Sequence, residues 1–354
     1  MSRCTLLVDG NWLLRSRKFA VEDKFAIGLD DYTPGFIALK QLLSQSLIGM
    51  INALKIVDDV IIVRDGGSWR KKLEKPKTYC TNYKANRKLS EQDDWSQIWK
   101  AYEEWCNQCK NIGMTVSHEF DAEGDDWIAY WSDNLSNKGN DVIIWSTDHD
   151  LQQLVTLKDD GTFVAWYEKS AGLVLHKRAD KRGVLPLDFF LMPEDSGNMI
   201  WLKENILKID YIEPSDIIME KIICGDAGDN ILPIIVNKTT TAKGAPKTNK
   251  VTVKDWNTVK DELYINYLNF ISSKNQIITN LLEMKRYSGY DFNVASDMFD
   301  FNIKLVTLSM DIIPQYLFEK AEHKNFDINN IKHNYRALSG IQDDVSDLVE
   351  ELPF

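Results

Sequence analysis

The chain contains no apolar run long enough to cross a bilayer. Its first apolar run, Cys4 to Val8, is too short for the core of a secretory signal and stops at Asp9. Cysteine is scarce and odd in number, with five residues scattered as Cys4, Cys80, Cys106, Cys109 and Cys224. That excludes a disulfide framework and leads us to expect a reduced, cytoplasmic protein. Cys106 and Cys109 form a lone CxxC, with neither a second such pair nor two histidines at ligand spacing. Zinc needs about four ligands, so the pair reads as helix packing. Positive charge is also short. Lys and Arg number 42 against 53 Asp and Glu, a net charge of -11, which excludes a protein that coats nucleic acid through bulk charge. No repeat or long low-complexity tract is present, no membrane partner is expected, and a monomer is the simplest state.

What the chain does contain is ample apolar material, 44% of 354 residues, organised in a recurring pattern. CTLLVDG (Cys4 to Gly10), DVIIVRDGG (Asp59 to Gly67) and DVIIWSTDHD (Asp141 to Asp150) are each a short continuous apolar run that leads into Asp. Runs of this kind are strands buried on both faces, hence a parallel sheet covered by helices. MTVSHEF (Met114 to Phe120) and TFVAWYE (Thr162 to Glu168) read as further strands, with helices at Pro34 to Lys55, Glu91 to Asn111 and Ala122 to Leu135. This alternation predicts an α/β fold with a mostly parallel central sheet. After Pro214 the pattern becomes helical, at Pro214 to Cys224, Lys254 to Ser272, Asn275 to Lys285 and Pro314 to Glu322.

In an open parallel sheet, ligands bind beyond the carboxyl ends of the strands. Asp9, Asp65, Asp148 and Asp150 fall there, and carboxylates gathered at one edge cannot all stay ionised without a cation. One such Asp alone is an ordinary turn residue. Glu123, Asp125 and Asp126 open the next helix, where acids also serve as caps. Asp226 and Asp229 sit in the Gly-punctuated loop of KIICGDAGDN (Lys221 to Asn230). Nine carboxylates on five separate segments are hard oxygen donors that suit two Mg²⁺ ions, with Mn²⁺ as a substitute. Two such ions can drive in-line displacement at a phosphodiester.

Two basic stretches interrupt the acidic trend. Arg70, Lys71, Lys72, Lys84, Arg87 and Lys88 lie among Trp69, Tyr79 and Tyr83, and Lys238, Lys243, Lys247 and Lys250 lie in a Thr-, Gly- and Pro-containing segment that reads as an irregular loop. Arg and Lys bind phosphate, and a ring such as Tyr83 can stack on an unpaired base. The tail reverses the sign, with Asp343, Asp344, Asp347, Glu350 and Glu351 before Leu352-Pro353-Phe354. It is either a solvated terminus or a docking peptide for a replication partner such as a single-strand-binding protein.

The order VDGN, VRDGG, YKANR, EGDD, STDHD, GDAGDN resembles the flap endonuclease or 5′-3′ exonuclease family, chiefly its short bacteriophage members of ribonuclease H type. The likeness covers roughly residues 4 to 235. It implies a 5′-nuclease acting on branched or 5′-ended DNA and on RNA primers of RNA–DNA hybrids in phage replication. It assigns Asp9, Asp65, Glu123 and Asp125 to a first metal, and Asp126, Asp148, Asp150, Asp226 and Asp229 to a second. It gives Tyr83, Lys84 and Arg87 to a basic arch, with Lys84 and Arg87 serving catalysis. It also implies a catalytic domain over 1–213 with the arch at 66–92, a helical duplex-binding region over 214–340 with a degenerate helix-hairpin-helix, and a tail over 341–354. The chain departs at His149, where the family carries Gly, and after Asn230, where paired glycines and with them potassium binding are lost. A PIN-like endoribonuclease and a non-catalytic DNA-structure-binding protein are the alternatives. Asp9 followed by Gly10 and Asn11 lacks the DxD of an aspartyl phosphatase.

Overall fold

The computed structural model describes residues 2–25, 32–77, 79–86, 95–183, 186–240, 246–324, 326 and 328. Arg87, Lys88, Lys243 and the acidic tail lie outside the described residues, as do the side chains of Lys238 and Lys247. Among the described residues, no helix is long and apolar enough to cross a membrane. The chain divides into two compact units, residues 1–67, 90–212 and 314–354 in the first, and 68–89 and 213–313 in the second. The basic segment after Gly67 thus groups with the second unit.

The first unit is built on β1 (Cys4–Asp9), α1 (Gly10–Phe25), α2 (Tyr32–Ala53), β2 (Asp59–Val63), α3 (Trp95–Asn111), β3 (Thr115–Ser117), α4 (Gly124–Ser136) and β4 (Asp141–Trp145). It continues through β5 (Thr156–Leu157), β6 (Phe163–Glu168), β7 (Gly172–His176), α5 (Pro186–Phe190), α6 (Gly197–Asn205) and β8 (Ile209–Ile212). The sheet order is β3-β2-β1-β4-β6-β7-β8, with β5 on β6. The pairs from β3 to β6 are parallel, β7 returns antiparallel to β6, and β8 runs parallel to β7. The expected mostly parallel sheet covered by helices is therefore what forms. Residues of β1, β2 and β4 are buried throughout their runs, save the half-buried Asp9, because helices cover both faces.

Cys106 and Cys109 are fully buried on α3 and belong to this core. Burial pushes the Cys106 thiol up to about 12, so it stays protonated and packs as a small apolar group.

The second unit holds α7 (Pro214–Cys224), a hairpin of β9 (Val236–Thr240) and β10 (Pro246–Lys250), then α8 (Val253–Glu262), α9 (Lys274–Glu283) and α10 (Phe292–Val306). Its core gathers Ile222, Ile223, Trp256, Ile277 and Phe299. The expectation of an irregular loop over 237–254 is corrected here. Val236 to Thr240 pairs antiparallel with Pro246 to Lys250, as the β-branched Thr and Val content favours. Two expected helices are also shorter. The one from Lys254 ends at Glu262, and the segment from Pro314 forms only a 3-10 turn over Gln315–Phe318.

Candidate metal centre

Parallel pairing of β1 with β2 and β4 brings their carboxyl ends to one edge of the first unit. Asp9 closes β1, Asp65 follows β2 by two residues, and Asp148 follows β4 by three. Gly10 allows the turn into α1. A Cβ there would run into the Tyr102 hydroxyl and, at 2.6 Å, the Val63 carbonyl. At Gly124 a Cβ would sit 2.9 Å from the Asp65 carboxylate, so only glycine lets its amide approach.

A network of neutral groups holds these acids. The Trp12 amide donates to Asp9 at 3.0 Å, and the Ser146 hydroxyl donates to the other Asp9 oxygen at 2.7 Å. Ser146 also accepts from the Asp148 amide at 3.0 Å, while Asp148 accepts from the Asp150 amide at 2.9 Å. Asp65 takes the Asn11 side-chain amide at 2.7 Å and the Gly124 amide at 2.6 Å. None of these donors carries charge. Burial first, and then the charges of Asp65 and Asp148, raise the Asp9 pKa to about 6. The charges at two other strand ends thus act on Asp9.

Glu123 and Asp126 are both buried, and they form a capping box in which the Glu123 amide donates to Asp126 at 3.0 Å. Asp125 is half-buried in the first turn of α4. Among the described residues, no group of three His, Cys, Asp or Glu side chains lies close enough to hold an ion. Carboxylates such as Asp9, Asp65 and Asp148, whose hydrogen-bond partners are neutral, are donors of the kind a hard divalent cation takes.

Sequence reasoning missed Ser146, Asn11 and Trp166. The Trp166 indole donates to the Asp148 carbonyl at 3.1 Å, and its ring meets His149 at 5.1 Å. The exposed His149 is thereby laid against Trp166, its Nδ1 2.9 Å from the Gln152 amide nitrogen. A tryptophan inside an apolar strand carries no signal of such a role.

The other acids belong to the second unit. Asp226 pairs with Lys221 at 2.6 Å and accepts from the Gly228 amide at 2.8 Å. Burial works to raise its pKa, but Lys221 and the backbone amides outweigh it and hold the pKa below the ordinary value. The loop is clamped on both flanks by the buried Asn302, which donates to the carbonyls of Ile222 and Leu232 at 2.8 and 2.9 Å. The YKANR segment is bonded to this same loop. Tyr83 donates to the Asp229 carboxylate at 3.2 Å, the Lys84 amide donates to the Asp229 carbonyl at 2.8 Å, and the Asn86 amide reaches the Ala227 carbonyl at 2.8 Å. The Lys84 ammonium lies 3.7 Å from Asp229.

Tyr83 and Arg70 call for a correction. Both were expected on an open nucleic-acid surface, yet they are 8% and 3% exposed. Tyr83 packs in the unit's core and Arg70 lies over the Trp69 ring. Their apolar surface is better buried than wet. They instead line a cavity of about 380 Å³ with Lys71, Lys75, Asn82 and Lys84. Lys71, Lys72 and Lys250 are exposed.

One stability prediction follows from Asp9. Its folded-state pKa lies above the ordinary carboxyl value, so stability is full below pH 4 and falls as pH rises through about 6. Asp9→Asn abolishes that loss. In EDTA at pH 7, denaturant unfolding should show the variant more stable by about 3 kcal/mol, with most of the difference gone near pH 4. A less stable variant at pH 7 would show that the hydrogen bonds from Ser146 and Trp12 outweigh the repulsion.

The family described as "5'-3' exonuclease, N-terminal resolvase-like domain" matches residues 4–181, half of the chain. A 5'-3' exonuclease of Mycoplasmopsis pulmonis (strain UAB CTIP) is 28% identical over 229 residues. That alignment covers 64% of this chain and 60% of the relative, so the chain spans less than two thirds of that protein. Among solved structures, the T5 D15 protein co-crystallized with metal ions is similar in fold, with a TM-score of 0.50 at 17% identity. The superposition covers 96% of this chain and all of the other.

Proposed function

From the chain's membership of the 5'-3' exonuclease family, we propose that it is a divalent-metal-dependent 5′-nuclease that cleaves phosphodiesters at 5′ ends and flaps. RNA primers of RNA–DNA hybrids in phage replication are included in this reading. The observation that carries it is the set of Asp9, Asp65 and Asp148, gathered at one sheet edge with only neutral hydrogen-bond partners. A structural acid in that setting would be paired with a cation or protonated, whereas uncompensated charge at a strand edge suits a bound cation. Asp9, Asp65, Glu123 and Asp125 would hold a first Mg²⁺; Asp126, Asp148, Asp150, Asp226 and Asp229 would serve a second. Two such ions would supply an acidified water and charge neutralisation at the phosphodiester.

The chain's own residues do the rest. Ser146 and Asn11 fix the carboxylates, sparing their reorganisation when substrate arrives. The basic cavity beside Lys84 is suited to a phosphate. Lys238, Lys243, Lys247 and Lys250, on and around the β9–β10 hairpin, would contact duplex phosphates. The T5 D15 protein was co-crystallized with metal ions, which accords with this reading. A panel of 5′-labelled flap, nicked and RNA–DNA substrates, incubated with Mg²⁺, Mn²⁺ or EDTA, tests it. Products should appear with either metal and vanish in EDTA; equal products in EDTA would end the metal assignment.

A further inference from the structure

A groove of about 680 Å³ in the first unit runs between α1, α2 and the turn after β6. Its walls include Trp12, Arg17, Gly49, Trp145, Tyr167 and Lys169. Trp12 and Trp145 meet edge to face at 5.4 Å. The groove starts at the acidic edge, since Thr147 lines it one residue before Asp148, and the amide of Trp12 is bonded to Asp9.

Arg17 is the unusual member of this wall. It is half-buried, burial lowers its pKa, and its Nε is sealed from solvent. Among the described residues its Nε has no hydrogen-bond acceptor, and no ion pair joins it to an acid of the groove. The nearby Glu168 takes the Ser170 hydroxyl. In a chain with a net charge of -11, a half-buried guanidinium without a counter-charge is costly unless an anion visits it. The volume lies within the range of sites that enclose small ligands. Aromatic walls around an unpaired guanidinium, with Lys169 at the rim, match a strand whose bases stack while its phosphate pairs with Arg. A duplex cannot use them, because its bases are already stacked inside.

We propose that this groove holds an unpaired stretch of the substrate strand, with bases against Trp12 and Tyr167 and a phosphate on Arg17. The inference deepens the nuclease reading and rests on it for the identity of the strand. It makes the groove the element that selects substrates with a single-stranded segment next to the cleavage edge.

Two variants test it. Arg17→Ala removes the cation. Gly49→Leu fills the groove from the α2 side, where an added Cβ meets nothing within 4 Å, and it should not weaken the helix. Binding of short fluorescent oligo(dT) is measured in EDTA by anisotropy, beside a blunt duplex as control. Both variants should raise the oligo(dT) Kd about tenfold or more, the loss expected from one stacked base, and leave the duplex Kd unchanged. Arg17→Ala should also flatten the salt slope by about 0.7, the share of one single-strand phosphate. An unchanged Kd in Gly49→Leu at preserved melting temperature overturns the proposal, as does equal weakening on duplex or no binding of oligo(dT) by the unaltered protein. Cleavage in Mg²⁺ is scored separately: groove-dependent binding without any metal-dependent cleavage would sink the nuclease reading and leave the groove standing.

Discussion

Asp148→Asn is expected to lower single-turnover cleavage of a 5′ flap at least about 10³-fold, beyond the ten- to hundredfold cost of losing a group behind a metal ligand, without unfolding the protein. Asp148 is held at three points. Its amide is held by Ser146, its carboxylate by the Asp150 amide, and its carbonyl by the Trp166 indole. Asn keeps the two backbone contacts and can still accept from Asp150, so the geometry of the edge survives. What it removes is one negative charge facing Asp9, whose raised pKa already registers that repulsion. The same change, expected to abolish cation affinity, should therefore leave melting in EDTA equal to or above that of the unaltered protein. Rapid-quench rates with Mg²⁺ and a melting curve in EDTA read the two halves independently. Cleavage within tenfold of normal would remove Asp148 from the site, and a large loss of stability in EDTA would make the rate uninterpretable as chemistry.

How far the sequence exposes such a residue depends on what its neighbours look like. The apolar runs of β1, β2 and β4 fix the sheet and the place where their acids emerge. Yet DVII opens both the Asp59 and the Asp141 runs, and those first acids, at the opposite ends of β2 and β4, are structural. Asp59 is fully buried against His323 at 2.7 Å, and Asp141 takes Asn198 at 2.9 Å. Nothing in the local pattern separates Asp59 from Asp65; only position along the strand does. The helix α1 is charged and weakly periodic, so the element that carries Asn11, Trp12 and Arg17 gives little signal. Tyr83 misleads for a related reason: an aromatic among lysines suggests an exposed stacking ring, but its burial is decided by α7 and α10, distant in the chain. The β9–β10 hairpin hides behind a Lys- and Thr-rich composition that serves a loop or a strand equally well.

Lys84 carries the second large expectation. Its backbone sits at φ +55°, in the left-handed region that a lysine rarely adopts. The loop pays for that conformation with the bond from the Lys84 amide to the Asp229 carbonyl, while the ammonium is placed 3.7 Å from the Asp229 carboxylate and 5.0 Å from the centre of the Tyr83 ring. A cation held this way is oriented before substrate arrives, so in the proposed nuclease it would act on charge developing in the transition state more than on ground-state binding. Lys84→Ala should cut the maximal single-turnover rate roughly 10²-fold, the scale of losing one preorganised electrostatic donor, and shift the substrate Kd much less. A structural explanation predicts something different, because Lys84→Gly relieves the positive φ. If the ammonium is what matters, Lys84→Gly should be as slow as Lys84→Ala while melting at the same or a higher temperature. Recovery of rate in the glycine variant would mean that the loop's conformation, and not its charge, sets the chemistry. An unaltered maximal rate with only a raised Kd would reduce Lys84 to holding phosphate.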